Sequence, residues 1–129
     1  MRTVETLVRS YPLEVQTLAH GARGLIRRLV PAIEESVDSS APVIAYGYGA
    51  GYRGMVCTLI LSKSGVKLGL VRGADLDDPY GLLKGRGKVH RYVQLEAPGD
   101  LRRAGVSLLI KAADSACRQR NRASRRKSQ

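Results

Sequence analysis

The residues of this chain best suited to chemistry are cations set among glycines. Gly85-Arg86-Gly87-Lys88 follows Lys84 and precedes Arg91. Glycines let backbone N–H groups converge on an anion, and Lys84, Arg86, Lys88 and Arg91 would add positive charge around it. Arg72 stands upstream as a further guanidinium. The loop is not a P-loop, which needs four residues between its first glycine and Gly-Lys, then Ser or Thr; here five separate Gly81 from Gly87-Lys88, and Val89 follows. A tight connection from a short helix to a strand, with solvated basic side chains, explains the same residues. The run YGYGAGYRG from Tyr46 to Gly54 is the second cluster. Tyr46, Tyr48 and Tyr52, beside Arg53, could stack on a flat ligand. With Phe and Trp absent from the chain, they could equally form the rim of the core. If the two loops meet across a sheet with Arg72 nearby, they make one site for a small anionic ligand or a protein partner.

A second candidate is electrostatic. Of 22 basic residues, six lie in one terminal run: Arg118, Arg120, Arg122, Arg125, Arg126 and Lys127. Setting those six charges aside reduces the net +11 to +5, so the rest of the chain is only moderately basic. The run suits weak, non-specific contact with nucleic-acid phosphates, or serves as a solubilising tail. Other reactive residue types offer less. Asp75, Asp77 and Asp78 could meet a hard cation through oxygen, but they lack EF-hand spacing and fit turn and capping chemistry. Glu34, Glu35 and Asp38 form the other acidic group. His20 and His90 stand without a Cys or carboxylate at zinc-ligand spacing, and Cys57 and Cys117 match no redox or metal motif. No Gly-x-Ser-x-Gly elbow or Cys/His nucleophile pair is apparent. The residues therefore predict a non-enzymatic binding protein with no catalytic residue, resident metal or cofactor.

Several elements must position these loops. Val15, Leu18, Ala22, Leu25, Ile26 and Leu29 recur at helical spacing, predicting an amphipathic helix that Pro31 ends, with Ala32 to Val37 as a further turn. Val43 to Tyr46 reads as a short strand. Met55 to Ser62 and Val66 to Leu70 read as a hairpin about Lys63-Ser64-Gly65, with Met55, Cys57, Leu59 and Leu61 facing one way. Asp78-Pro79 predicts a short helix through Leu83, ended by Gly85. Val89 to Leu95 reads as the last strand, with Val93 and Leu95 inward. Pro98-Gly99-Asp100 opens a closing helix whose apolar stripe is Leu101, Leu108, Leu109, Ala112, Ala113 and Ala116. Beyond Cys117 the apolar pattern stops, which predicts fraying and disorder.

Three segments carry a family resemblance: RGADLDDP (Arg72–Pro79), GLLKGRGK (Gly81–Lys88) and RYV (Arg91–Val93). Together with the turn at Pro31 to Glu35, the Tyr46-Gly47 pair and the closing helix, they resemble the YdhG-like domain family across roughly residues 11 to 117. The resemblance implies a bacterial domain of frataxin-like fold and largely unknown function, one member of which is proposed as an intracellular iron chaperone. Iron binding would want exposed acids on one face, whereas the first long helix here carries Arg23, Arg27 and Arg28. The family's pattern also has a histidine where this chain has Tyr92.

The expected fold is α+β: an antiparallel sheet of three to five strands packed against an N-terminal and a C-terminal helix. One domain is expected over residues 1–117, with a basic, disordered tail at 118–129. No stretch reaches the length of a membrane span and the N-terminus lacks a signal-peptide core, so the expected setting is the cytoplasm, away from membranes.

Overall fold

The computed structural model describes residues 2–49 and 51–128, with side chains described through residue 124. Two helices open the chain, α1 (Val4–Arg9) and α2 (Leu13–Leu29). Five strands follow: β1 (Glu34–Val37), β2 (Val43–Gly47), β3 (Met55–Ser62), β4 (Gly65–Leu70) and β5 (Arg91–Leu95). A third helix, α3 (Ala104–Ser128), closes the chain. The strands form one antiparallel sheet in the order β1-β2-β3-β4-β5. The expected α+β class is thus observed, at the upper end of the expected strand count. Each strand lies beside its sequence neighbour, so no crossover helix is needed, although residues 71–90 make a long connection from β4 to β5.

Both long helices cover one face of this sheet. α2 packs on β3 and β4, α3 packs on the same two strands, and the helices touch one another. Between the layers lie Leu18, Ile26, Leu109 and Ile110 from the helices, against Ile44, Leu59, Leu68 and Leu95 from the strands. Each such aliphatic side chain contributes roughly 1.5–3 kcal/mol on burial. The alternation of β3 and β4 leaves Thr58, Ile60, Lys67 and Gly69 on the opposite face, where no helix packs.

Four expectations about local structure are corrected. Ala32 to Val37 is not a helical turn: Glu34–Val37 is a strand, paired with β2 from Glu34↔Gly47 to Val37↔Ile44. The Asp38 carboxylate accepts the Ser40 and Ala41 N–H groups at 2.9 and 2.7 Å, closing a hairpin between the two strands. Pro79 to Leu83 forms no helix. Gly81 adopts φ +64°, and the Asp78 carboxylate instead accepts both Leu82 and Leu83 N–H at 2.9 Å. Asp78 caps as expected of its chemistry, but it caps a turn. Met55 does not join Cys57, Leu59 and Leu61 inside, because a register shift at Tyr46/Gly47 sends it to the open face. Finally, β5 begins at Arg91, leaving Val89 exposed.

The closing helix differs from expectation twice. Its buried stripe is Val106, Leu109, Ile110, Ala113 and Cys117, whereas Leu108 is 47% exposed. Pro98–Arg102 forms a separate 3-10 turn, and this break resets the helical phase that a continuous helix from Pro98 would have had. Ile110→Ala should therefore cost about 2–4 kcal/mol of unfolding free energy. Leu108→Gln should change it by less than about 0.5 kcal/mol, as chemical denaturation of the two variants will read. The second difference concerns 118–129, where the backbone is helical through Ser128 rather than disordered. Alanine and arginine are strong helix formers. Asp114 pairs with Arg118 one turn on at 2.9 Å, and Arg53 donates to Ser124 Oγ at 3.3 Å. The helix end is thus held by polar contacts, which leave no apolar period to read. None of the helices among the described residues is long and apolar enough to cross a membrane.

Candidate ligand site on the open sheet face

A concavity of about 300 Å³ opens on the uncovered face of the sheet. Thr58 and Ile60 on β3 and Gly69 on β4 line it, and a glycine there matters because any larger side chain would occupy the space. Gly69 is paired with Tyr92, whose ring forms one wall while Met55 and Tyr52 form others. Lys67 Nζ lies 4.7 Å from the centre of the Tyr92 ring, a cation–π contact. His90 and Arg91 complete the lining.

The tyrosine loop and the segment entering β5 meet at Tyr52 and His90. Their rings stand edge to face, with centroids 5.9 Å apart. The backbone N–H of Arg72 donates to His90 Nδ1 at 3.1 Å, which leaves Nε2 to carry the proton and face the Tyr52 hydroxyl at 3.4 Å. Arg72 is in the left-handed region at φ 56°, uncommon for a residue with a Cβ. Its guanidinium pairs with Asp75 at 3.0 Å. One strained turn therefore orients both Arg72 and the imidazole.

The expected site residues are only partly assembled. Arg91 lines the concavity, and Arg72 reaches its edge through His90. Lys84 pairs with Tyr92 by two backbone hydrogen bonds, at 2.7 and 3.0 Å, so it borders β5 from the outside. Lys84, Gly85, Arg86, Gly87 and Lys88 are all exposed, and none lines the concavity. Tyr46 is 0% exposed and hydrogen-bonds Glu35, which removes it from any surface site. Burial, reinforced by that hydrogen bond, pushes its hydroxyl far above the usual phenol range. Tyr48 turns toward α3, where its hydroxyl donates to Asp114. Partial burial and then Asp114 push its pKa up to about 12.

The basic helix end lies beside this site. A second concavity, of about 250 Å³, is lined by Tyr52, Arg53 and Arg72 together with Arg120, Asn121 and Ser124 of α3. A third, of about 310 Å³, is lined by Tyr48, Arg118, Asn121 and Arg122. The side chains of Arg125, Arg126 and Lys127 lie outside the described residues. Among the described residues, no three His, Cys, Asp or Glu side chains converge as a metal site would require. Cys57 is fully buried, and burial raises its thiol pKa to about 12.

Sequence reasoning missed Met55, Thr58, Ile60, Gly69 and His90. The signal for three of them was present: Thr58, Ile60 and Gly69 are the off-core positions of two strands, and a glycine inside a strand marks a gap or a close approach. His90 was legible only as a lone imidazole, because its partners Tyr52 and Arg72 are remote in sequence.

Fold and site together define a two-layer α+β domain with an uncovered sheet face and an adjoining arginine-rich surface. Comparison with protein-family models, curated proteins and solved structures finds no match to this chain.

Proposed function

We propose that the protein is a cytoplasmic, non-enzymatic binding module that takes a small ligand with a flat apolar body and an acidic group. The supporting observation is the open-face concavity, in which Ile60, Met55 and the Tyr92 ring surround the space left by Gly69, while Arg91 lines it and Lys67 lies over the Tyr92 ring. Apolar walls with a few convergent polar groups are the usual form of a small-molecule site. The aromatic rings would hold the flat body by stacking, and a guanidinium would pair with the acid. The Gly85–Lys88 loop then contributes long-range positive potential instead of direct contact. The YdhG-like resemblance belongs to the same proposal. Its iron-delivery implication draws little support from a basic chain whose Glu35 is already committed to Arg23 and Tyr46.

Anilinonaphthalene sulfonate, a flat apolar anion, is a suitable probe. Titrated into isotope-labelled protein, it should shift the amide resonances of Tyr52, Ile60, Gly69 and Tyr92. Gly69→Val fills the concavity at a strand position, where its Cβ meets the Thr58 hydroxyl, and should weaken binding by about tenfold. Shifts confined to α1, α2 and β1, or undiminished binding by Gly69→Val, would overturn the reading.

A further inference from the structure

The three concavities are not separate features, because consecutive ones share a residue. Tyr52 lines both the open-face concavity and the three-arginine concavity, and Asn121 lines both the latter and the Arg118/Arg122 concavity. They form a track that runs off the sheet, past the tyrosine loop and onto α3. Its order is chemical: apolar and aromatic surface, then Arg53, Arg72 and Arg120, then Tyr48 with Arg118 and Arg122.

The charge along this track is only partly offset. Asp75 pairs with Arg72 and Asp114 pairs with Arg118, each at about 3 Å. Among the described residues, no carboxylate lies within ion-pair distance of Arg53, Arg120 or Arg122. Guanidinium groups clustered at the surface favour phosphate, which accepts paired N–H donors. A single phosphate would engage only one of the concavities. Aromatic walls alternating with cations are what a single nucleic-acid strand requires, because its bases stack while its phosphates follow the basic groove. A duplex keeps its bases stacked inside and could not use the apolar concavity.

We propose that this track binds single-stranded nucleic acid, with one base in the open-face concavity against Tyr52 and Tyr92 and the following phosphates on Arg53, Arg72 and Arg120. The proposal rests on the preceding reading of the concavity as a site for a flat body, and it names that body as a base. Sequence preference is not expected, since no helix or strand presents a base-reading pattern.

The test uses the full chain and a labelled oligothymidylate of about ten nucleotides, followed by fluorescence anisotropy. Binding should weaken by more than about tenfold between about 50 and 200 mM salt. Arg72→Gln combined with Arg120→Gln should lose about tenfold and reduce the logarithmic salt slope by about 0.7 for each contact removed. Gly69→Val, folded by circular dichroism, should also lose about tenfold. Thymidine monophosphate should compete only at concentrations more than about 100-fold above the strand. Four results would each overturn the proposal: no binding at low salt, unchanged affinity in the arginine double variant, equal affinity for a duplex, or monophosphate competing as well as the strand. If anilinonaphthalene sulfonate still binds at Gly69 while the strand does not, the small-ligand reading stands alone. If neither binds, both fail.

Discussion

Gly54→Ala, at a buried position in the 3-10 turn Tyr52–Gly54, is expected to destabilise the protein by about 3 kcal/mol or more. A Cβ at Gly54 would collide with the Tyr48 carbonyl oxygen and lie 2.9 Å from the Tyr48 carbonyl carbon, both backbone atoms. No side-chain rotation can relieve such a contact. The same two residues share the hydrogen bond from Tyr48 N–H to the Gly54 oxygen, at 2.8 Å, that closes the tyrosine loop. Gly47 faces Gly54 as closely from the other strand, so the loop has no slack on either side. Forcing it open would strain the bulge at Tyr46/Gly47 and move Tyr52 away from His90. With a urea dependence of about 1–3 kcal/mol per molar, the unfolding midpoint should fall by about 1–3 M. A midpoint within about 0.3 M of wild type would show that the loop can open without cost to the sheet.

Glu35→Gln should cost about 2–3 kcal/mol by removing the charge from a largely buried ion pair. The side chains of Arg23 and Glu35 are only 15% and 14% exposed. Arg23 donates from Nε and Nη2 to the two carboxylate oxygens, both at 2.9 Å, and the buried Tyr46 hydroxyl donates to Oε2 at 2.6 Å. The contact ties α2 to β1, the strand at the sheet's edge. Without that carboxylate the guanidinium remains partly desolvated, with the exposed Glu5 at 3.9 Å as its remaining ionic partner, and this is the larger share of the cost. The pH dependence has a definite sign. Burial opposes the Glu35 charge, but the hydrogen bonds from Arg23 and Tyr46 outweigh it and hold the carboxyl below its ordinary value of 4.5. Stability from this group is complete above that value and is lost as pH falls through the lower folded-state pKa. Urea midpoints of wild type and Glu35→Gln should therefore differ fully at neutral pH and converge on acidification below 4.5. A gap that stayed constant into that acid range would remove the ion pair as its cause.

The sequence by itself determined the layers of this protein. The helical spacing from Val15 to Ile26 and the alternation across Met55 to Leu70 depend only on where each element's apolar residues recur, and hydrophobic burial enforces that pattern wherever a sheet and helix can meet. Local turn chemistry was legible too: Lys63-Ser64 turns the β3–β4 hairpin and Asp78 caps backbone N–H groups within five residues of itself. Tertiary structure decided what local pattern left open. Glu34–Val37 is a strand because β2 is available to pair with it, and the Leu108 to Ile110 phase follows from a break at Arg103 that no periodicity marks. The candidate site lay furthest from reach. Tyr52, His90 and Arg72 are separated by 18 to 38 residues along the chain yet linked by a ring contact and two hydrogen bonds. The run at 118–124, legible as a detached basic tail, is instead the far wall of the arginine track. Polar contacts of this kind carry no repeat in sequence, since each depends on one distance between two remote side chains. Only the folded chain sets that distance.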